Sequence, residues 1–410
     1  MAHRREAGCY GEDNADSFGS RGALPLCHDR SVPEPIGRRI ALHRRRRGLS
    51  QVAVAGLVGR SESWLSQVER GLRDVDSYTA LRDLARVLRV DIATLTATGE
   101  ASQPERSVRD VDVAAIERAL LIGTAPEEMP DVVAAVPELH AAYQAARYDE
   151  VLAALPSLIA ALEGQHSGLT AAGYTVAAKM LTKIGSHDLA LIGADRAWYA
   201  ARRSGEQADV GMAVNQVVCA LLPTARAVLA EELAVEMATR LDGEDPAVLS
   251  VAGALWLIAA VAAARRIDAA AAEERLDHAR QLADRLGEDA NHRWTAFGPT
   301  NVAIHRVSVA VEVGDAPAAL AAAAAVDLDR LPEGLHSRHV QVQLDIAWAQ
   351  AQRRRDAEAL VALLEIERAA PQVARRNVVA RDTIRQLLAR ARGTNGAAVR
   401  GLAHRAGVAV

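Results

Sequence analysis

The stretch from Leu49 to Gly71, LSQVAVAGLVGRSESWLSQVERG, admits few folds. Ser50 is placed to cap a helix, because its hydroxyl can accept a backbone N–H that has no partner within the first turn. Val54, Ala55 and Val58 then share one apolar face. Gly59 ends the helix, since a residue without Cβ takes the left-handed conformation cheaply. Ser61 caps a second helix, and Leu65 and Val68 turn its apolar side inward. Glu62, Ser63, Ser66 and Gln67 are left pointing outward from its N-terminal half. Two short helices joined by a tight turn, the second tipped with short polar side chains, make the shape that enters a DNA major groove.

The flanks extend this module. Upstream, IGRRIALHRRRRG sets Ile36, Ile40 and His43 on one helical face and crowds the rest with Arg38, Arg39 and Arg44 to Arg47. Beside a helix-turn-helix, such a run reads as phosphate contact, which releases counterions and gives affinity without sequence preference. Arg38, Arg44, Arg45 and Arg46 are the expected contacts. Downstream, SYTALRDLARVLRVDIATL supplies two more helices. Ser77 caps the first, Leu81, Leu84, Ala85 and Leu88 form its buried stripe, and Ile92 and Leu95 belong to the second. Residues 36–99 hold 12 Arg against six acids, whereas the whole chain carries −4, so a basic module is joined to an acidic remainder.

The run L-S-Q-x-x-x-A-x-x-x-G-x-S-x-x-x-L-S-Q-V-E-R-G resembles the XRE family of helix-turn-helix regulators. The resemblance implies a five-helix domain over residues 34–98 that binds double-stranded operator DNA, a palindrome read by a dimer. Gln51 would bond a phosphate and brace the recognition helix. Glu62, Ser63 and Gln67 would occupy base-reading positions beside Ser66, with Ser61, Arg70 and Arg73 near the backbone. Glu69 would be structural, and Trp64 would pack against a neighbouring helix or a dimer partner. Gln67 suits adenine, through N6 and N7. His43 stands where the family has an apolar residue, and Glu62 puts an acid at a base-reading position.

Beyond this module the chain is Ala-rich and only 3% aromatic, which predicts an all-α protein. Residues 1–33 read as a disordered leader, 99–110 as a linker, 111–393 as a helical domain and 394–410 as a flexible tail. Within the helical domain, short breaks before a helix-starting acid recur at Asp149, Asp188, Asp268, Asp315 and Asp356, spaced 39, 80, 47 and 41 residues apart. A period near 40 predicts an α-solenoid of antiparallel helix pairs. Ala190, Ala194 and Ala197, with Ala318 and Ala319, provide close-approach positions. The run is similar to degenerate tetratricopeptide repeats, without their Trp-Leu-Gly-Tyr signature. Residues 247–264 hold 18 residues without a charge, enough to cross a membrane, but Arg265 and Arg266 follow within a repeat, so a buried solenoid helix is expected.

The candidate ligand residues are polar or aromatic groups on these helices: Asn215, Trp294, Phe297, Asn301, His305, His339 and Gln343, centred on Trp294 to Ser308. Asn and Gln offer the bidentate partners that peptide backbones need. A helix-turn-helix fused to such a domain also resembles the RRNPP-type regulators, which implies a homodimer and a peptide or small-molecule effector. The alternative is an adaptor whose solenoid carries a partner protein to DNA. Cys9, Cys27 and Cys219 form no CxxC, and Cys27 with His28 lacks a second ligand pair, so no metal is expected. HExxH and phosphate-binding glycine loops are absent, so neither enzyme activity nor a cofactor is expected. No signal peptide is read at the start, and the expected compartment is the cytoplasm, with no membrane partner.

Overall fold

The computed structural model describes residues 36–46, 49–75, 78–88, 95, 108–123, 130–224, 226–266, 268–391 and 393–408. The chain divides into two compact units, residues 1–107 and 108–410. Among the described residues every regular element is helical. The leader, residues 99–107 of the linker, Ser77 and Ile92 lie outside the described residues, as do the side chains of Arg38, His43, Arg45 and Arg46, whereas 108–110 of the expected linker begin a helix.

The first unit holds α1 (Ile36–Arg46), α2 (Gln51–Leu57), α3 (Glu62–Glu69) and α4 (Tyr78–Leu88). The fifth helix is represented among the described residues only by Leu95, which is buried. Ile40, Val54, Ala55, Leu65, Val68, Leu84 and Leu88 meet in one core. Helix α1 crosses α3 closely enough that a Cβ on Gly37 would collide with the Val68 carbonyl.

The second unit opens with α5 (Val108–Ile122) and continues as six helix pairs. These are α6 (Val132–Gln144) with α7 (Tyr148–Ala161), α8 (Ser167–Lys183) with α9 (His187–Ser204), and α10 (Gln207–Leu221) with α11 (Ala227–Arg240). Then come α12 (Pro246–Arg265) with α13 (Ala269–Leu286), α14 (Pro299–Val313) with α15 (Ala316–Ala324), and α16 (His336–Gln352) with α17 (Asp356–Ala369). The second helices begin 39, 40, 42, 47 and 40 residues apart. Five of the six start on the acids that mark the repeat. Asp268 and Asp315 cap α13 and α15 through backbone N–H groups, and Asp149, Asp188 and Asp356 lie in first turns. Helix α11 begins after Arg226 without such an acid, which accounts for the double spacing in the sequence.

Ala190, Ala194, Ala197 and Ala319 are buried at helix crossings, whereas Ala318 faces out. Helix α12 is long and apolar enough to cross a membrane by composition, but 83% of its apolar window is buried among its neighbours. The array curls until its ends meet. Helix α16 packs on α6, and one core joins Val136 and Leu155 to Leu344, Leu363 and Leu402. Three terminal helices complete it: α18 (Pro371–Arg376), α19 (Val378–Arg390) and α20 (Gly393–Arg405). The expected flexible tail is therefore corrected, because Leu402, Ala403, Ala406 and Val408 are buried in that core.

Candidate functional site

In the first unit, side-chain caps set both helices of the motif. Ser50 Oγ accepts from the Ala53 N–H at 3.1 Å and Ser61 Oγ from the Trp64 N–H at 3.2 Å. Gly59 turns the chain between them at φ 65°. With Leu65 and Val68 inward, α3 presents Glu62 and Ser63 fully and Ser66 and Gln67 partly to solvent. Ser61, Arg70 and Arg73 are exposed at its two ends. Trp64 is buried at 5% exposure, with the Arg60 guanidinium 5.5 Å from its ring.

Arg44 is a correction. It is buried, its Nε and Nη2 donate to the Glu69 carboxylate at 2.5 and 2.8 Å, and its Nη1 donates to the Leu49 carbonyl at 2.8 Å. Its guanidinium ties α1 to α3, where a phosphate contact is expected from the sequence. Gln51 Nε2 donates to the same carboxylate at 2.7 Å, so the bracing role implied for Gln51 runs through Glu69.

In the second unit, the array surrounds a half-open cavity of about 370 Å³, walled by the first helix of every pair. Asn215, Trp294, Asn301 and His305 line it. Phe297 does not: it is fully buried, its ring occupying the space a Cβ would need on Gly253 of α12. His339 and Gln343 do not either. They face a separate hollow against α17, because at about 100° per residue His339 lies one step past Arg338 and Gln343 two steps past Gln341, and it is Arg338 and Gln341 that line the cavity.

Sequence reasoning missed Gln144, Lys179, Lys183 and Arg338 on its walls. A signal was present: Lys179 and Lys183 are the chain's lysines, with all its other basic residues Arg or His, and i, i+4 spacing puts both on one face of α8.

These cations meet a strained loop. Arg293, Trp294 and Ala296 have φ of 49°, 56° and 52°, a region side chains rarely adopt. That backbone turns the Trp294 carbonyl toward Lys179 Nζ at 3.0 Å and the Thr295 carbonyl toward Arg338 Nη2 at 3.1 Å. Asn291 holds the loop by accepting the Ala296 N–H at 3.1 Å, and it exchanges amide hydrogen bonds with Gln144. The Trp294 ring stacks on His140 at 3.8 Å. Burial, reinforced by Arg338, pushes Lys179 down to about 7 and Lys183 down to about 8. The same burial pushes Tyr143 up to about 12, Cys219 up to about 11 and His305 down to about 4. Among the described residues no carboxylate lines the cavity. No group of His, Cys, Asp and Glu among them is arranged to hold a metal.

A helix-turn-helix unit followed by an α-helical repeat unit is the class that this fold defines. Residues 35–97 match the family described as a helix-turn-helix domain. No curated protein matches the chain. Among solved structures, the chain is similar to Bacillus thuringiensis PlcR in complex with the peptide PapR7 and DNA. That likeness has a TM-score of 0.33 and 13% identity over 79% of this chain and 99% of that one. At that level it says nothing specific about this chain's ligand.

Proposed function

We propose that this protein is a sequence-specific DNA-binding transcriptional regulator, working in the cytoplasm as a homodimer, whose helical-repeat unit senses a ligand. The capped, solvent-facing α3, with Glu62, Ser63, Ser66 and Gln67 on its outer side, is the observation that carries this reading. A helix of that kind inserts its N-terminal half into the major groove and reads base edges. Gln67 is the adenine reader, through a bidentate bond to N6 and N7. Ser61, Arg70 and Arg73 hold the phosphates to either side, and Arg38, Arg45 and Arg46 supply the sequence-independent attraction. Ligand occupancy of the repeat unit changes the spacing of two DNA-reading heads, and the spacing of half-sites makes that geometry decisive.

The test is a footprint and a salt titration on the operator that the full chain selects from random duplex DNA. Gln67→Ala is expected to lose about 1–3 kcal/mol of discrimination at one adenine in each half-site. Neutralising Arg45 and Arg46 together is expected to weaken all sequences alike and flatten the salt dependence. Unchanged operator affinity in both variants would overturn the assignment of α3.

A further inference from the structure

We propose that the half-open cavity formed by residues 108–410 binds a compact anionic molecule. Its carboxylate or phosphate group sits among Lys179, Lys183 and Arg338, and its apolar body lies against Met212, Leu257 and Ile258. This deepens the ligand-sensing reading above and rests on it.

Three observations converge. The first is uncompensated charge. Among the described residues none of the three cations has an acid within ion-pairing distance, and none of the cavity's walls carries one. Half-buried cations without a charge partner are costly, and an anion entering the cavity lowers that cost. The second is unused hydrogen-bonding capacity. Lys179 and Arg338 each give one N–H to a loop carbonyl, leaving further donors on an ammonium with three and a guanidinium with five. Asn301 Oδ1 and Thr182 Oγ1, both on the cavity's residues, are buried without partners. The third is size. About 370 Å³ lies near the lower end of the roughly 300–1,000 Å³ that small-molecule sites span. That volume favours a compact guest over a long peptide.

The same groups set the pH dependence. His140 and Tyr143 of α6, Tyr148 of α7, Cys219 of α10, His305 of α14 and Arg338 of α16 surround the two lysines of α8. Of these only the lysines change charge near neutrality, at about 7 and about 8. A bound anion holds both protonated, so binding takes up protons and weakens as the pH rises through that window.

The chain's lysine content makes the site directly visible, because lysine labelled with nitrogen-15 at Nζ gives side-chain signals from Lys179 and Lys183 alone. The full chain is titrated with hexanoate, with inorganic phosphate and with the neutral isostere hexanamide. The expected result is a saturable shift of both signals by hexanoate or phosphate, with a midpoint below about 10 mM, and none by hexanamide. Which anion binds separates a carboxylate ligand from a phosphate one. By calorimetry, Lys179→Met with Lys183→Met should weaken binding at least about tenfold, and the paired Arg substitutions should restore it. Hexanamide acting as well as hexanoate, or no response to either anion in the unmodified chain, would overturn the proposal. Operator binding in the same samples separates the two readings. Anion binding without operator binding defeats only the regulator reading, and operator binding without anion binding defeats only this one.

Discussion

Glu69 is the carboxylate that three helices share. Arg44 reaches it from α1 and Gln51 from the start of α2, and Glu69 itself ends α3 at 8% exposure. Removing one partner of a buried ion pair is strongly destabilising, by as much as about 3–5 kcal/mol. Arg44→Ala should therefore lower the hydrogen-exchange protection of α1 to α3 in the full chain by that amount. Arg44→Met with Glu69→Leu should recover most of it. Equal protection in Arg44→Ala and the unsubstituted chain would show that the pair is dispensable. The sequence placed the motif but not this partnership. The caps, the turn glycine and the apolar faces act over three or four residues, so each is legible locally. That Arg44 turns inward is decided by Glu69, 25 residues away, and a run of identical side chains carries no periodicity to reveal it. The lysine pair is the opposite case. Its spacing was legible, but its meaning depended on five other helices supplying the rest of the cavity.

At the scale of elements, two contacts position the cavity wall. The Phe297 ring seats where Gly253 of α12 leaves room, fixing the loop that carries Trp294 and Thr295. Gly253→Ala should overpack this contact by about 1–3 kcal/mol and lower the melting midpoint. Adding Phe297→Leu should return part of the loss, and a double variant no better than the single would refute the contact. Asp345 of α16 is the second. Ser308 of α14 donates to it at 2.7 Å and Gln341 at 3.1 Å, yet burial pushes it up to about 7. Its folded pKa lies above the unfolded one, so the native state holds the extra proton. Stability should then fall as the pH rises from about 4 toward 7 and change little above that window on this residue's account. Comparing denaturation midpoints across it with those of Asp345→Asn, whose profile should be flatter, checks the sign. The helix pairs themselves were readable because an acid begins most second helices. Phe297 was misread because an aromatic near polar residues looks like a ligand contact until the glycine opposite it is known.

Across the repeat unit, closure changes what kind of molecule this is. An open solenoid is held together by nearest neighbours, so damage to one repeat is felt mainly beside it. Here α18 packs near the start of the array. Gln372 donates to Asp149 at 2.7 Å, and Val373, 4% exposed, shares a crevice with Tyr148 and Leu152 of α7. Closing the array also completes the cavity's walls, since Asn377 just beyond α18 and Arg338 of α16 join those begun by α6 and α8. Val373→Asp puts a carboxylate into that apolar seam, where burying an unpaired charge is strongly unfavourable. In a closed array the loss should spread, reducing hydrogen-exchange protection not only in α7 and α18 but also in α10 and α11, which lie midway around the sequence of pairs. The lysine signals should shift in the same variant, because the wall facing them has moved. Protection lost only beside the substitution would instead mark the seam as a passive contact, with the repeats holding the cavity open on their own.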